Sequence, residues 1–273
     1  MRRLLLLFLL FCLSCFDVKQ AQKEQLKQQN ARKDRIHRLA HERHYLEEPL
    51  LAQNRDPYPW ELGYTGLHPP VTKECFRCKG SGKNPCKIKE GGKEIQDCKG
   101  VQGHSLPIIG KKEFVYPILI DLLNYLQQKT NCPVVITCGH RCPDHHAYVD
   151  SSIYNMHSKH MIGAEVDFYL LGMEEKYQEV IDLIFRYYKE TECYKGRSEY
   201  ENFVRLDSVK VDVTTAPWYN KEILIKLYQK GEGRDAENQH PYPYLSLQVR
   251  FDREKNEKVT YSWDRAFHGY MRY

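Results

Sequence analysis

The chain has 273 residues, enough for one domain of ordinary size with appendages. Its net charge of +5, with 28% charged residues, is mild and does not by itself argue for nucleic acid, whose binders show a concentrated basic face; no nucleic-acid partner is expected. The 20 tyrosines suit cores and binding clefts equally and single out neither.

The N-terminus has the form of an export signal. Arg2 and Arg3 precede a short apolar run over residues 4–13, and a small residue follows before a cleavage point. The run is too short to span a bilayer, which takes about 20 apolar residues. Leu13-Ser14-Cys15 resembles the end of a bacterial lipoprotein signal, in which the cysteine is lipidated and becomes the first residue. Cys12 stands where that signal usually has leucine. Residues 1–15 are therefore read as a lipoprotein-type signal with Cys15 as the lipidation site. Plain secretion and a retained anchor are the alternatives. The expected location is the periplasm or cell envelope, held to a membrane by the lipid.

Residues 16–55 read as a charged stalk, helical or disordered. Lys, Gln, Arg and Glu dominate, and the sparse apolar positions (Val18, Leu26, Ile36, Leu39, Leu46) cannot support a core. Residues 56–110 form a Pro/Cys-rich segment that opens on Asp56-Pro57-Tyr58-Pro59-Trp60, an extended connector. Apolar periodicity is missing after Cys75, so covalent or metal staples must substitute for a core there. With Cys12 removed and Cys15 lipidated, eight cysteines remain: Cys75, Cys78, Cys86, Cys98, Cys132, Cys138, Cys142 and Cys193. An even number in an oxidising compartment reads as disulfides. Cys75-Phe76-Arg77-Cys78-Lys79-Gly80-Ser81-Gly82 resembles one CxxCxGxG element of the DnaJ-type zinc domain, and Cys86 and Cys98 loosely complete a set of four. Structural disulfides, a structural zinc and redox activity thus all stand open for Cys75, Cys78, Cys86 and Cys98.

Regular structure is predicted from residue 111 onward. Apolar positions at helical spacing (Phe114, Ile118, Leu122, Leu126) predict a helix over 114–128, with Pro117 tolerable near the first turn. Residues 134–137 read as a buried strand and 147–155 as a loop. Alternation over 166–170 predicts a half-buried strand. Residues 173–188 are an amphipathic helix and 209–213 a strand. A helix is expected over 220–229, with Asn220 as cap and Gly231 as stop. Residues 244–251 and 259–263 read as a hairpin turning at 254–257. The elements add up to an α+β domain, a small antiparallel sheet with flanking helices, over 111–273.

One constellation carries chemistry. His160 and Asp167 stand seven residues apart, with Gly163 between them as a residue that lets the loop fold back. By alternation, Glu165, Asp167 and Tyr169 share one face of the strand. Imidazole and carboxylate are both ordinary zinc ligands, and the loop histidine and strand aspartate can meet at one ion. The stretch Ser158-Lys159-His160-Met161-Ile162-Gly163-Ala164-Glu165-Val166-Asp167 resembles the SxHxxGxAxD signature of peptidase family M15, the VanY- and VanX-like zinc D-alanyl-D-alanine carboxypeptidases. Ser158, His160, Gly163 and Asp167 match, and Glu165 stands where that family has alanine. Upstream, residues 136–145 resemble the family's "SGYR" segment, with its arginine at Arg141. The resemblance covers residues from about 111 to the C-terminus.

It implies a hedgehog/D-Ala-D-Ala carboxypeptidase-like fold, a zinc cofactor, and His160 and Asp167 as metal ligands. The family's last ligand is a histidine on a later strand, resembling "HxDVR" here, but Ser246 and Gln248 replace its histidine and aspartate. Glu237-Asn238-Gln239-His240 reproduces the ExxH spacing of the VanX-like branch, making His240 a candidate ligand and Glu237 a candidate general base. Glu165 is the other candidate donor, and a site without a functional metal stays open. Arg141 would face the developing oxyanion or the substrate carboxylate, or else form a structural pair. Ser158 would orient the substrate or cap its own loop. His145, His146, His157 and His268 read as surface or structural residues. The function implied is zinc-dependent cleavage of peptidoglycan stem peptides, as a D,D- or L,D-carboxypeptidase or endopeptidase. The alternative is an inactive M15-like domain that binds peptidoglycan or a protein partner.

Overall fold

The computed structural model describes residues 66–81, 84–88, 92–100, 104–109, 112–150, 158–207, 213–232, 242–260 and 266. All of them belong to one compact unit, Ala40–Tyr273. Two short hairpins lie in the cysteine-rich region: β1 (Lys87–Ile88) with β2 (Glu94–Ile95), and β3 (Ile108–Ile109) with β4 (Lys112–Glu113). Helix α1 (Pro117–Thr130) follows, with Pro117 in its first turn and Asn131 ending it in the left-handed region at φ 54°. Proline costs nothing there, because its missing N–H would have no helical partner. Leu119, Leu122, Leu123 and Leu126 are fully buried on α1, each contributing about 2 kcal/mol.

Next come β5 (Val134–Cys138), α2 (Pro143–Val149), β6 (Glu165–Leu170), α3 (Tyr177–Glu190) and the single turn α4 (Ser198–Glu201). The C-terminal part supplies β7 (Val204–Arg205), β8 (Trp218–Tyr219), β9 (Ile223–Tyr228) and β10 (Tyr244–Val249), then a hairpin of β11 (Phe251–Asp252) with β12 (Glu257–Lys258). Six strands form one antiparallel sheet in the order β5-β6-β10-β9-β8-β7. Helix α1 packs against α3 and across β5, β6 and β10. The chain is therefore α+β, as its patterning predicts. No described helix is long and apolar enough to cross a membrane.

Alternation divides the sheet cleanly. Val166, Phe168 and Leu170 of β6, Leu245, Leu247 and Val249 of β10, and Ile223, Ile225 and Leu227 of β9 enter the core with the helices. Tyr169, Tyr228 and Tyr244 gather in a second cluster with Val213, and the rings of Tyr228 and Tyr244 stack with centroids 4.7 Å apart. The cysteine-rich segment shares the main core through Phe76 and Leu106, both fully buried.

Three predicted elements differ. The helix expected over 220–229 is the strand β9. Asn220 does accept two backbone N–H bonds, from Glu222 at 2.9 Å and Ile223 at 2.8 Å, but it does so in a turn that starts a strand. Pairing with β8 and β10 on both sides, and burial of five of its six residues, override the weak helical spacing of an Ile/Leu-rich run. The loop expected over 147–155 begins inside α2, which Pro143 starts and Cys142 caps. The return strand β12 lies at residues 257–258, starting inside the expected turn, and residues 261–263 of the strand expected over 259–263 fall outside the described residues. The strand expected over 209–213 falls mostly outside the described residues.

Candidate metal centre

The site begins in a one-turn 3-10 helix, Lys159–Ile162. Ser158 caps it by accepting the His160 N–H at 3.1 Å. This places Ser158 in the loop-capping role. Gly163 ends the turn at φ 71°, and a Cβ there would stand 2.7 Å from the Phe114 carbonyl oxygen. Only glycine combines that backbone with that approach. The chain then enters β6 with Glu165 and Asp167 on its polar face, while His160 reaches them from the loop.

His160 is buried, and its two ring nitrogens have different partners. Nδ1 lies 2.7 Å from the Gly139 carbonyl oxygen, so Nδ1 carries a proton and donates it. Nε2 faces carboxylates, 3.3 Å from Asp167 Oδ2 and 3.7 Å from Glu165 Oε1. A backbone carbonyl on one nitrogen, leaving the other for an ion, is the usual arrangement of a metal-binding histidine. Asp167 is buried too, and its Oδ1 has no hydrogen-bond partner among the described residues.

Register supplies the rest of the polar face. β10 runs beside β6 with Ser246 opposite Asp167 and Gln248 opposite Glu165. Ser246 Oγ donates to Glu165 Oε1 at 3.0 Å and Gln248 Nε2 donates to the same oxygen at 2.6 Å. Glu165, Ser246 and Gln248 thus form one hydrogen-bonded set. Cys138, opposite Asp167 on the other side of β6, completes the group. Its sulfur lies 3.6 Å from His160 Nδ1 and accepts from Arg141 Nε at 3.0 Å. Donor atoms of Cys138, His160 and Asp167 all lie within 4.8 Å of one another.

Electrostatics couple these groups. Burial opposes charge on His160, but Cys138, Glu165 and Asp167 outweigh it and hold the imidazole well above its ordinary range. Burial pushes the Asp167 carboxyl up, and His160 and Arg141 overcome that and hold it below the usual value. Burial also opposes the Cys138 thiolate, yet Arg141 and His160 pull the thiol down. Arg141 lines a cavity of about 40 Å³ together with Lys79, Thr137, Cys138, Gly139, His140 and His145. A Cβ on Gly139 would stand 2.6 Å from the Phe76 carbonyl oxygen, so the cysteine-rich segment presses directly on this turn.

A second buried cluster lies four residues along the chain. Donor atoms of Cys78, Cys98, His104 and Cys142 lie within 4.8 Å of one another. The four cysteines grouped by sequence therefore divide. Cys78 and Cys98 enter this cluster, whereas Cys75 and Cys86 are exposed and outside it. All eight cysteines among the described residues are free thiols. Beside the cluster, His145 Nδ1 pairs with Asp97 Oδ1 at 2.8 Å, and His146 is buried. His140 is buried with both ring nitrogens unpartnered among the described residues, and burial followed by His104 keeps it neutral.

Both clusters could hold a metal ion. Sequence reasoning brought His160, Asp167 and Arg141 to one place and weighed Glu165 there. It missed Cys138, His104 and Cys142 as donors. A signal for the second cluster is present in the sequence: Cys-Lys-Gly occurs at 78–80 and again at 98–100. Cys15, His157, Glu237, His240 and His268 lie outside the described residues. The chain matches no known family model, no curated protein and no solved structure.

Proposed function

We propose that the chain is a metal-dependent hydrolase of cell-wall peptides, with a hedgehog/D-Ala-D-Ala carboxypeptidase-like fold and a zinc site at His160, Asp167 and Glu165. The observation that carries this reading is the convergence of two buried carboxylates on the Nε2 side of a histidine whose Nδ1 is already committed to a carbonyl. Paired carboxylates at such a place repel each other and are relieved by a cation. The unpartnered Asp167 Oδ1 fits a ligand position in the same way. Glu165 replaces the histidine missing at position 246, and the donors on Ser246 and Gln248 aim it.

A zinc ion held there would supply a Lewis acid and lower the pKa of a bound water to about 7. The chain's own residues do the rest. His160, Asp167 and Glu165 hold the site, and Gly139 fixes the ring of His160. Arg141 brings a permanent positive charge beside the site, next to Cys138, suited to a substrate carboxylate or a developing oxyanion. Glu237 is the candidate base, and His240 a further candidate ligand, on the resemblance of their segment to the VanX-like branch. The substrate class is the stem peptide of peptidoglycan, cleaved by a D,D- or L,D-carboxypeptidase or endopeptidase, and the export signal with Cys15 would deliver the domain to it on a lipid anchor.

The test is hydrolysis of purified muropeptides by the zinc-loaded full chain. Product should form, and His160→Ala should abolish it together with one bound zinc. Activity that survives chelation but is lost to a thiol alkylator would move the chemistry to Cys138 and sink the metal reading. One observation favours a second reading, a non-catalytic domain that binds peptidoglycan or a protein partner: Glu165 is already satisfied by Ser246 and Gln248, as in a purely structural network. Retention on intact sacculi without release of peptide would support it.

A further inference from the structure

We propose that Cys78, Cys98, His104 and Cys142 form a structural zinc site that fastens the cysteine-rich segment to the loop carrying Arg141. The inference is independent of the hydrolase reading, since it concerns different ligands and requires no catalysis. Four donors from separate stretches of chain meet in the interior, where none of the residues is more than 7% exposed. Cys78 Sγ and Cys98 Sγ lie 3.7 Å apart, and His104 Nε2 lies 3.3 Å from Cys98 Sγ. A tetrahedral zinc with ordinary bond lengths places two sulfurs about 3.8 Å apart and a sulfur and a nitrogen about 3.5 Å apart. The observed spacings are those edges. A disulfide needs sulfurs about 2.05 Å apart and would join only two of the four groups.

The backbone is built around sulfur as well. Gly100 N donates to Cys98 Sγ at 3.4 Å and His145 N donates to Cys142 Sγ at 3.3 Å. Such donors stabilise thiolates, the form that binds metal. The glycines of the repeated Cys-Lys-Gly are required by crowding. A Cβ on Gly80 would stand 2.1 Å from Cys98 Sγ, and one on Gly100, at φ 78°, would stand 2.1 Å from the Gly80 carbonyl oxygen. Three thiolates and an imidazole are a soft set that selects zinc over calcium or magnesium, and four protein ligands leave no position open for substrate. Cys142 caps α2 and directly follows Arg141, so the ion would hold the arginine loop in place. His145 and Asp97 brace the same turn from outside.

The experiment uses the full chain purified without chelator, with zinc and cobalt as probes. Metal analysis should find zinc that stays bound in His160→Ala and is lost in Cys98→Ser. Cobalt exchange should give the intense visible bands of a tetrahedral thiolate site. The thiols of Cys78, Cys98 and Cys142 should resist a thiol reagent until a chelator is added. His104→Cys guards against a serine variant that fails to fold: it should keep the metal, and the sulfur-to-cobalt band should grow by about one third as three thiolates become four. An unchanged cobalt spectrum in His104→Cys overturns the assignment of His104. Thiols released by reductant alone and not by chelator would replace the zinc site with a disulfide. Zinc lost from His160→Ala and kept in Cys98→Ser would overturn this proposal while leaving the other site standing.

Discussion

Two buried donor clusters share one short stretch of chain, since Cys138 belongs to one and Cys142 to the other. Their chemistry differs in kind. Around Cys142 the donors are three sulfurs and an imidazole, a closed set of four. Around Asp167 they are a thiol, an imidazole and carboxylates, with one carboxylate oxygen left unpartnered among the described residues. The first set has the composition of a closed structural site, and the second mixes oxygen, nitrogen and sulfur donors. The lesson is that one tight turn, residues 139–141, can be clamped from the structural side and presented to the chemical side at once. Arg141 stands between the two, donating to Cys138 while its neighbour Cys142 faces the other cluster.

The comparison breaks most sharply in a crossed pair of variants. Cys142→Ser should lower stability by about 4 kcal/mol, roughly 10 °C in Tm, because a bound structural ion stabilises by mass action and the cap of α2 is weakened with it. Asp167→Asn should shift Tm by only a few degrees, while muropeptide hydrolysis falls at least about 100-fold through loss of a site ligand. Differential scanning calorimetry beside a peptide-release assay reads both. If the two variants behave alike in both measurements, the division between structural and chemical cluster fails.

A pH control away from both clusters sharpens the contrast. Glu222 is buried among tyrosines, and burial pushes its carboxyl from 4.5 up to about 7 although Tyr188 Oη donates to it at 3.0 Å. A raised folded value means that the folded state holds the proton more tightly. The resulting stability is fully present below 4.5 and is lost as pH rises through about 7, a loss of about 3 kcal/mol. Denaturant melts across that window should show the slope, and Glu222→Gln should flatten it without changing metal content. A slope that persists in the variant would assign it to the metal clusters instead.

Much of this was legible in the chain. The alternation of 166–170 placed Glu165 and Asp167 on one face because a strand has a period of two and nothing in the fold overrides it. His160 and Asp167 could be joined because they are local in sequence and Gly163 permits the reversal. β9 was not legible, since Ile-Leu-Ile-Lys-Leu-Tyr satisfies either period and only its place between β8 and β10 decides. Cys142 and His104 were hidden for a different reason. Their partners lie up to 64 positions away, and cysteine spacing alone carries no information on which distant ligand completes a set. The segment's apparent lack of a core misled in the same way, because Phe76 and Leu106 contribute single side chains to a core built elsewhere.

The smallest expected effect tests whether Glu165 belongs to the chemical cluster at all. Gln248 lies at the partly exposed end of the polar face and, among the described residues, reaches the site through its bond to Glu165 Oε1. If Glu165 is a ligand, Gln248→Ala frees the carboxylate to turn and should weaken zinc at that site about tenfold, about 1.4 kcal/mol, with the sulfur cluster untouched. If Glu165 only completes a hydrogen-bonded face, the same change costs about 1 kcal/mol of stability and leaves the metal affinity where it was. Competitive zinc titration of Gln248→Ala in a Cys98→Ser background, where the second site is silent, separates the two. An unchanged affinity there removes Glu165 from the ligand set and leaves Cys138, His160 and Asp167 as the donors that the fold brings together among the described residues.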